Sequence, residues 1–237
     1  MFLTTHWSVV LSAGGSDSTQ ARDALAKLCQ VYWRPLYAYV RRRGYSSHDA
    51  EDLTQGFFAR ILERHDVAGV DPTKGRFRSY LLAAMNHYMS DEWDKARAQK
   101  RGGGKVILMD TTEAESAYLQ HHVDTDTPAR LFDRHWAITV LDEVHERLRQ
   151  DYALEGKADL FETLRFALMG ERSQVPYTEL ARRLGLSEGA VKAAVLRLRK
   201  RYRRLLRIFI AETVATPDDV EDELRHLLRT LADPASL

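Results

Sequence analysis

Cysteine is almost missing from this chain of 237 residues, with Cys29 its single copy. No intrachain disulfide can form, and no cysteine cluster can hold a metal. Set near Leu25, Leu28 and Tyr32, Cys29 reads as a small buried hydrophobe. Long apolar runs are missing as well, and no stretch approaches the length of a membrane span. The opening MFLTTHWSVVLSAGG lacks a basic start and makes a poor signal peptide, so the cytoplasm is the expected compartment and a membrane is not an expected partner. Few segments alternate with period two, and none is bounded by hairpin turns, which argues against a sheet. Catalytic signatures are absent too: there is no phosphate-binding loop and no GxSxG elbow. His121-His122, with Asp124 and Asp126 nearby, is the one metal-like grouping, and a polar stretch produces such a grouping by chance. Neither metal, cofactor nor enzyme activity is expected.

What the chain has is charge, unevenly spread. The formal net charge is only +1. From Ala211 onward there are seven acids and two bases, a net of −5, while residues 1–210 carry 33 bases and 27 acids, a net of +6. A basic body with an acidic extension suits a nucleic-acid binder with a regulatory or self-shielding segment, or one with a plain solubilising tail.

The basic charge concentrates in Tyr177–Leu206, YTELARRLGLSEGAVKAAVLRLRKRYRRLL. Leu180, Ala181 and Leu184 share one face of a first short helix. After Gly185, Ser187 is a good N-cap for a second helix. Val191, Ala194, Val195, Leu198, Tyr202 and Leu205 follow at spacings of three and four and form its buried face. Lys192, Arg197, Arg199, Lys200, Arg203 and Arg204 lie opposite, and no acid occurs from Ala190 to Ala211. A solvated surface helix normally mixes signs to gain i,i+4 pairs. Short helix, glycine turn and longer basic helix make a helix-turn-helix, which places its second helix in the DNA major groove.

Almost everything else also reads as helix. Asp17 or Ser18 caps a helix through Leu25, Leu28 and Tyr32, which Pro35 kinks or restarts before Arg43-Gly44. Ser46-Ser47-His48-Asp49 opens the next, and residues 65–74 form a loop. Phe77 to about Lys100 is a long helix. Residues 101–128 are polar and aperiodic and read as a flexible linker. Pro128 starts another helix, Leu160–Met169 is a further one, and residues 217–231 make a small amphipathic helix. The expected fold class is all-α. Two helical domains, 1–100 and 129–210, are joined by the 101–128 linker and followed by an acidic extension over 211–237.

The long helix from Phe77 carries Tyr80, Tyr88 and Trp93 among Arg76, Arg78, Lys95 and Arg97. Rings interleaved with cations suit single-stranded nucleic acid, where each stacked base contributes roughly 1–3 kcal/mol. The plainer reading makes Tyr80, Leu81 and Tyr88 core. The helix before it is acidic and apolar, DAEDLTQGFF, which suits a protein-docking surface or simply solvated charge at a helix N-terminus.

DAEDLTQGFFARIL, followed by GRFRSYLLAAMNHYMSDEWDKARAQKRGGG, resembles the second conserved region of bacterial RNA polymerase sigma factors. YTELARRLGLSEGAVKAAVLRLRKRYRRLL resembles their fourth region. Two regions and a short linker are similar to the extracytoplasmic-function group of the sigma-70 superfamily. The FRSYLL…KARAQKRGGG run and acidic extension are most similar to members from planctomycete-like bacteria. The resemblance covers roughly residues 20–210.

It implies two partners, core RNA polymerase and promoter DNA, and leaves open an anti-sigma factor or other regulator. Asp49, Glu51, Asp52, Leu53, Gln55, Phe57, Phe58 and Ile61 match the helix that docks on the polymerase clamp coiled coil. Many relatives have Glu where this chain has Gly56. Arg76, Phe77, Arg78, Tyr80, Asp91, Trp93 and Arg97 fall in the segment that opens and reads the −10 element, with Asn86 or His87 holding a flipped base. Ser187, Glu188, Gly189, Ala190, Lys192, Ala193, Arg197, Arg199 and Lys200 fall in the helix that reads the −35 element, and this domain's apolar side rests on the polymerase flap. Glu188, Gly189 and Lys192 can reach base edges, whereas Arg197, Arg199 and Lys200 are better placed for phosphates. Glu188 can also serve its own helix terminus, and Gly189, Ala190 and Ala193 can equally serve packing. The implied function is promoter selection and transcription initiation. The alternative is a stand-alone helix-turn-helix regulator.

Overall fold

A computed structural model describes residues 19–64, 77–98, 114–116, 118–119, 127–168, 175–214 and 216–232. Among the described residues the fold is all-α, with no strand. The main helices are α1 (Thr19–Arg42), α2 (Ser47–Arg64), α3 (Phe77–Ala98), α4 (Pro128–Leu154), α5 (Ala158–Leu164), α6 (Tyr177–Leu184), α7 (Glu188–Ala211) and α8 (Pro217–Ala232). The helix expected over Leu160–Met169 starts earlier, and its end tightens into a 3-10 turn over Arg165–Leu168.

The chain divides into two compact units. The first comprises residues up to Thr139 together with those from Ile210 onward, and the second is Val140–Phe209. The unit boundaries thus fall inside α4 and near the end of α7. The start of α4 and the acidic extension belong with the first unit.

In the first unit, α1, α2 and α3 pack pairwise. Its core includes Tyr32, Leu36, Tyr37, Phe57, Phe58, Phe77, Leu81, Phe132 and Trp136. Tyr32 meets Phe77 edge-on at 5.0 Å and stacks on Phe132 at 6.3 Å between centroids. α1 runs on through Pro35 without the restart that the sequence allowed. Tyr32, Trp33, Leu36, Tyr37, Ala38, Tyr39 and Val40 are all buried there. That burial on every side outweighs the backbone hydrogen bond proline removes. Gly44, at φ 95°, then turns the chain. Ser46 caps α2 by accepting from the Asp49 N–H at 3.1 Å, and its hydroxyl donates to the Asp49 carboxylate at 2.7 Å.

The linker expected over 101–128 is not wholly free. Within it, Ala114 and Tyr118 are buried, and Glu115 takes a two-pronged grip from Arg41, with Nε and Nη2 each at 2.9 Å. The Arg41 guanidinium also lies 5.0 Å from the Tyr118 ring, and the Tyr37 hydroxyl donates to Glu115. Arg41 holds the Glu115 carboxyl below its ordinary range. Ala114 and Tyr118 are four positions apart in sequence, too short a pattern to register as periodicity.

The extension is likewise structured. Thr216 donates to the Asp219 carboxylate at 2.6 Å as α8 begins. Val220, Glu223 and Leu227 are its buried face. Glu223 accepts from Arg78 Nε at 2.6 Å, while Arg78 Nη1 donates to Asp133 at 2.8 Å. The same guanidinium lies 5.5 Å from the Trp136 ring. His226 approaches Asp133 at 3.1 Å. Just before α8, the Thr213 carbonyl accepts from the Phe77 N–H at 3.3 Å. Burial alone would lower the Arg78 pKa, but Glu223 and Asp133 more than offset it.

The second unit has its own core of Leu148, Tyr152, Phe161, Leu164, Leu180, Val191, Val195 and Leu198. Gly156, at φ 70°, makes the turn from α4 to α5.

Candidate nucleic-acid and protein interfaces

Three surfaces hold the residues the sequence singles out. On α2, His48, Asp49 and Asp52 are exposed, and Glu51 and Leu53 are half-buried. Gln55 is buried and donates to Glu51 at 3.1 Å. Phe57, Phe58 and Ile61 lie in the core. They hold the helix in place, so the part of this motif able to meet a partner is the acidic first turns with Leu53. Gly56 serves packing: a Cβ built there would overlap the Tyr88 hydroxyl. Tyr88 meets Phe57 edge-on at 5.7 Å and carries Arg60 at 5.7 Å from its ring. Burial first, then Glu92, raises the Tyr88 pKa to about 12 against the pull of Arg60.

Along α3 the expected aromatic-basic surface separates into two halves. Phe77 and Arg78 are buried in the first unit, Arg78 under its two carboxylates. The spacing of rings and cations along one helix could not show that the partners of Arg78 come from α4 and α8. Arg76 lies outside the described residues, and Arg97 is placed on α3 by its backbone alone. Tyr80 and Tyr88 are half-buried, whereas Asn86, His87, Asp91 and Trp93 are exposed. The Tyr39 hydroxyl donates to the Asn86 amide oxygen at 2.7 Å, fixing that side chain's orientation. Asp91 pairs with Arg60 at 2.9 Å. Trp93 is 54% exposed, a large ring for a solvent-facing position.

The third surface is built on α6 and α7. Gly185, at φ 65°, ends α6, and the Leu186 N–H returns to the Ala181 carbonyl at 2.9 Å. Only a residue without a Cβ adopts this conformation readily. Ser187 then accepts from the Ala190 N–H at 3.2 Å, the cap expected of it. Leu180, Ala181, Val191, Ala194, Val195 and Leu198 lock the two helices together. Gly189, Lys192, Arg197 and Lys200 are exposed on α7, and Glu188, Ala190 and Ala193 are half-buried. Glu188 pairs with Lys192 at 2.6 Å and raises the lysine pKa.

Two arginines have partners within the second unit, although Arg199 stays exposed and Arg201 is half-buried. Arg199 Nε donates to the Ala167 carbonyl at 2.9 Å, tying α7 to the 3-10 turn. Arg201 binds Glu155 and, at 3.0 Å, Asp151, and these carboxylates, Glu155 foremost, raise its pKa. The exposed side of α7 nonetheless keeps a continuous basic strip. Next to it, Lys157, Leu160, Arg197, Lys200 and Arg204 edge an open cavity of about 730 Å³.

The grouping expected around His121-His122 falls outside the described residues. No helix among them is long and apolar enough to cross a membrane.

Residues 28–99, which run from α1 through α3, match the family model for Sigma-70 region 2. That match supports a sigma-70 family sigma factor. No curated protein and no solved structure matches the chain.

Proposed function

Proceeding from a Sigma-70 region 2 over residues 28–99, we propose that this chain is a sigma factor of the extracytoplasmic-function group, of planctomycete-like type. It directs core RNA polymerase to promoters in the cytoplasm and performs no catalysis of its own. The region 2 match carries the reading, because recruitment of polymerase and capture of promoter DNA both follow from that region.

In this reading, Asp49, Asp52 and Leu53 with Glu51 meet the polymerase clamp. Their exposure on the first turns of α2 favours it. Phe57, Phe58 and Ile61 act behind them by fixing the helix. The exposed part of α3 takes the −10 strand: Trp93 offers a stacking face, and Asn86 rather than His87 captures the flipped base. The Tyr39 hydrogen bond supports the choice, since a preoriented amide discriminates better than a mobile one. Residues 129–210 then serve as region 4. The capped α6–α7 pair lays α7 in the −35 major groove, with Glu188, Gly189 and Lys192 near base edges and Arg197 and Lys200 on phosphates.

The test is run-off transcription with purified core polymerase on a promoter library. Promoter-dependent transcripts that require this chain are expected. Operator-like DNA binding with no polymerase association would instead identify a stand-alone regulator and end the proposal. Leu53→Asp should abolish co-purification with core polymerase while the second unit stays folded. Retained co-purification would remove α2 from the docking surface.

A further inference from the structure

On the exposed face of α7, the most exposed apolar side chain is one that neither charge nor packing accounts for. Leu196 is 67% exposed in the middle of the basic strip. A single exposed leucine is ordinary on a protein surface, so its position must carry the argument. Val191, Ala194, Val195 and Leu198 are buried on the core side of the helix, and Leu196 lies on the side away from them. At helical spacing its neighbours are Lys192 and Ala193 one turn before, and Arg199 and Lys200 one turn after. Arg199 is exposed as well and gives its Nε–H to the Ala167 carbonyl at 2.9 Å. Leu196 is thus framed by exposed cations, Lys192 before it and Arg199 and Lys200 after it, with Gly189 two turns below it.

This frame has a shape. A Cβ at Gly189 would meet nothing within 4 Å, and Ala193 is small, so the helix backbone can come close to a flat partner here. With no acid from Ala190 to Ala211, the partner must be anionic around its edges. At its centre it must present something apolar. In the major groove the thymine 5-methyl group is the apolar feature of the base edges, and it sits between two phosphate rows.

We propose that Leu196 reads a thymine methyl in the −35 duplex, with Lys200 placed toward the flanking backbone and Lys192 toward a neighbouring base edge. The inference rests on the region 4 reading of α6 and α7 and deepens it. The basic strip anchors without discriminating, whereas Leu196 adds preference at one base pair. Burying one methyl group against a leucine corresponds to roughly a three- to fivefold change in affinity.

The experiment uses the full chain with core polymerase to select a promoter from a randomised −35 library. The selected duplex is then remade with each −35 thymine replaced singly by deoxyuridine, which removes the 5-methyl group and leaves the pairing edge intact. Wild type should lose about three- to fivefold in affinity at one position and little at the others. Leu196→Ala should bind the thymine duplex as weakly as wild type binds the deoxyuridine duplex, and should no longer distinguish the two. Lys200→Ala should weaken both duplexes equally. No deoxyuridine effect at any position in wild type would overturn the proposal, as would a Leu196→Ala protein that still discriminates. If Leu196→Ala instead loses core polymerase and keeps its thymine preference, the face docks protein and the proposal is wrong. If the library yields no −35 preference at all, the region 4 reading fails first and takes the methyl contact with it.

Discussion

Replacing Gly56 with alanine sets two effects of similar size against each other. Gly56 sits inside α2, where glycine is less favourable than alanine by about 1 kcal/mol. Taken alone, the helix should gain that much. Against it stands Tyr88: the new Cβ would overlap the phenolic oxygen, while the next nearest atom, Tyr88 Cζ, stands at an ordinary 3.5 Å. The conflict therefore belongs to the hydroxyl alone. Tyr88 is half-buried against Phe57 and under Arg60, so moving it disturbs both contacts. Overpacking of this kind costs about 1–3 kcal/mol. Gly56→Ala should thus leave the wild-type background destabilised by about 0–2 kcal/mol. In a Tyr88→Phe background the overlap is gone, and the same alanine should stabilise by about 1 kcal/mol. The sign of the effect reverses, with a coupling of about 1–3 kcal/mol. Denaturant unfolding of the four proteins, followed by circular dichroism, measures it. If alanine has the same effect in both backgrounds, Tyr88 moves aside without penalty and the reasoning fails.

Three further outcomes follow from the same geometry. Glu223→Ala should destabilise the first unit by about 3–5 kcal/mol, because it leaves the buried Arg78 short of a carboxylate; a melting temperature within error of wild type would refute this. Glu115 contributes stability with a definite pH signature. Its folded pKa lies below the ordinary 4.5, so its contribution is present above that value and is lost as pH falls through the depressed folded value. Glu115→Gln should therefore be less stable than wild type at neutral pH and converge with it in acid, and parallel stability curves would count against the Arg41 clasp. Lys200→Ala should reduce the salt slope of promoter binding by about one unit. Arg199→Ala should lower thermal stability with a smaller change in slope, and the reverse order would return Arg199 to the phosphates.

Local features of this fold are legible in the sequence because their causes are local. Ser187 and Gly185 announce a cap and a tight turn within a few residues, and both appear, the glycine in the left-handed conformation. The three-and-four spacing of Val191, Ala194, Val195 and Leu198 names its own buried face. Arg78 shows the opposite case. Its neighbours in sequence suggest a nucleic-acid contact, but its carboxylate partner Glu223 is 145 residues away. Arg199 looks equivalent to Lys200 on a helical wheel, yet the carbonyl that claims it belongs to a separate turn. Gly56 reads as a departure from the docking motif until Tyr88 is seen beside it. Charge patterns show which faces are polar, and only tertiary packing decides which of those charges are spent internally.

The first unit draws on residues before Val140 and after Phe209, so the second unit is inserted within it along the chain. This fixes an order of events during synthesis. Val140–Phe209 can close as soon as it leaves the ribosome. The first unit must wait, with Arg78, Phe77 and the Trp136 side uncovered, until Thr213, Glu223 and Leu227 arrive. Such long-range closure is slow relative to local helix formation. A ribosome that stalls before residue 213 would release a chain with a finished second unit and an open first one. The acidic extension is therefore part of the first unit's own fold, which closes only once that segment is present.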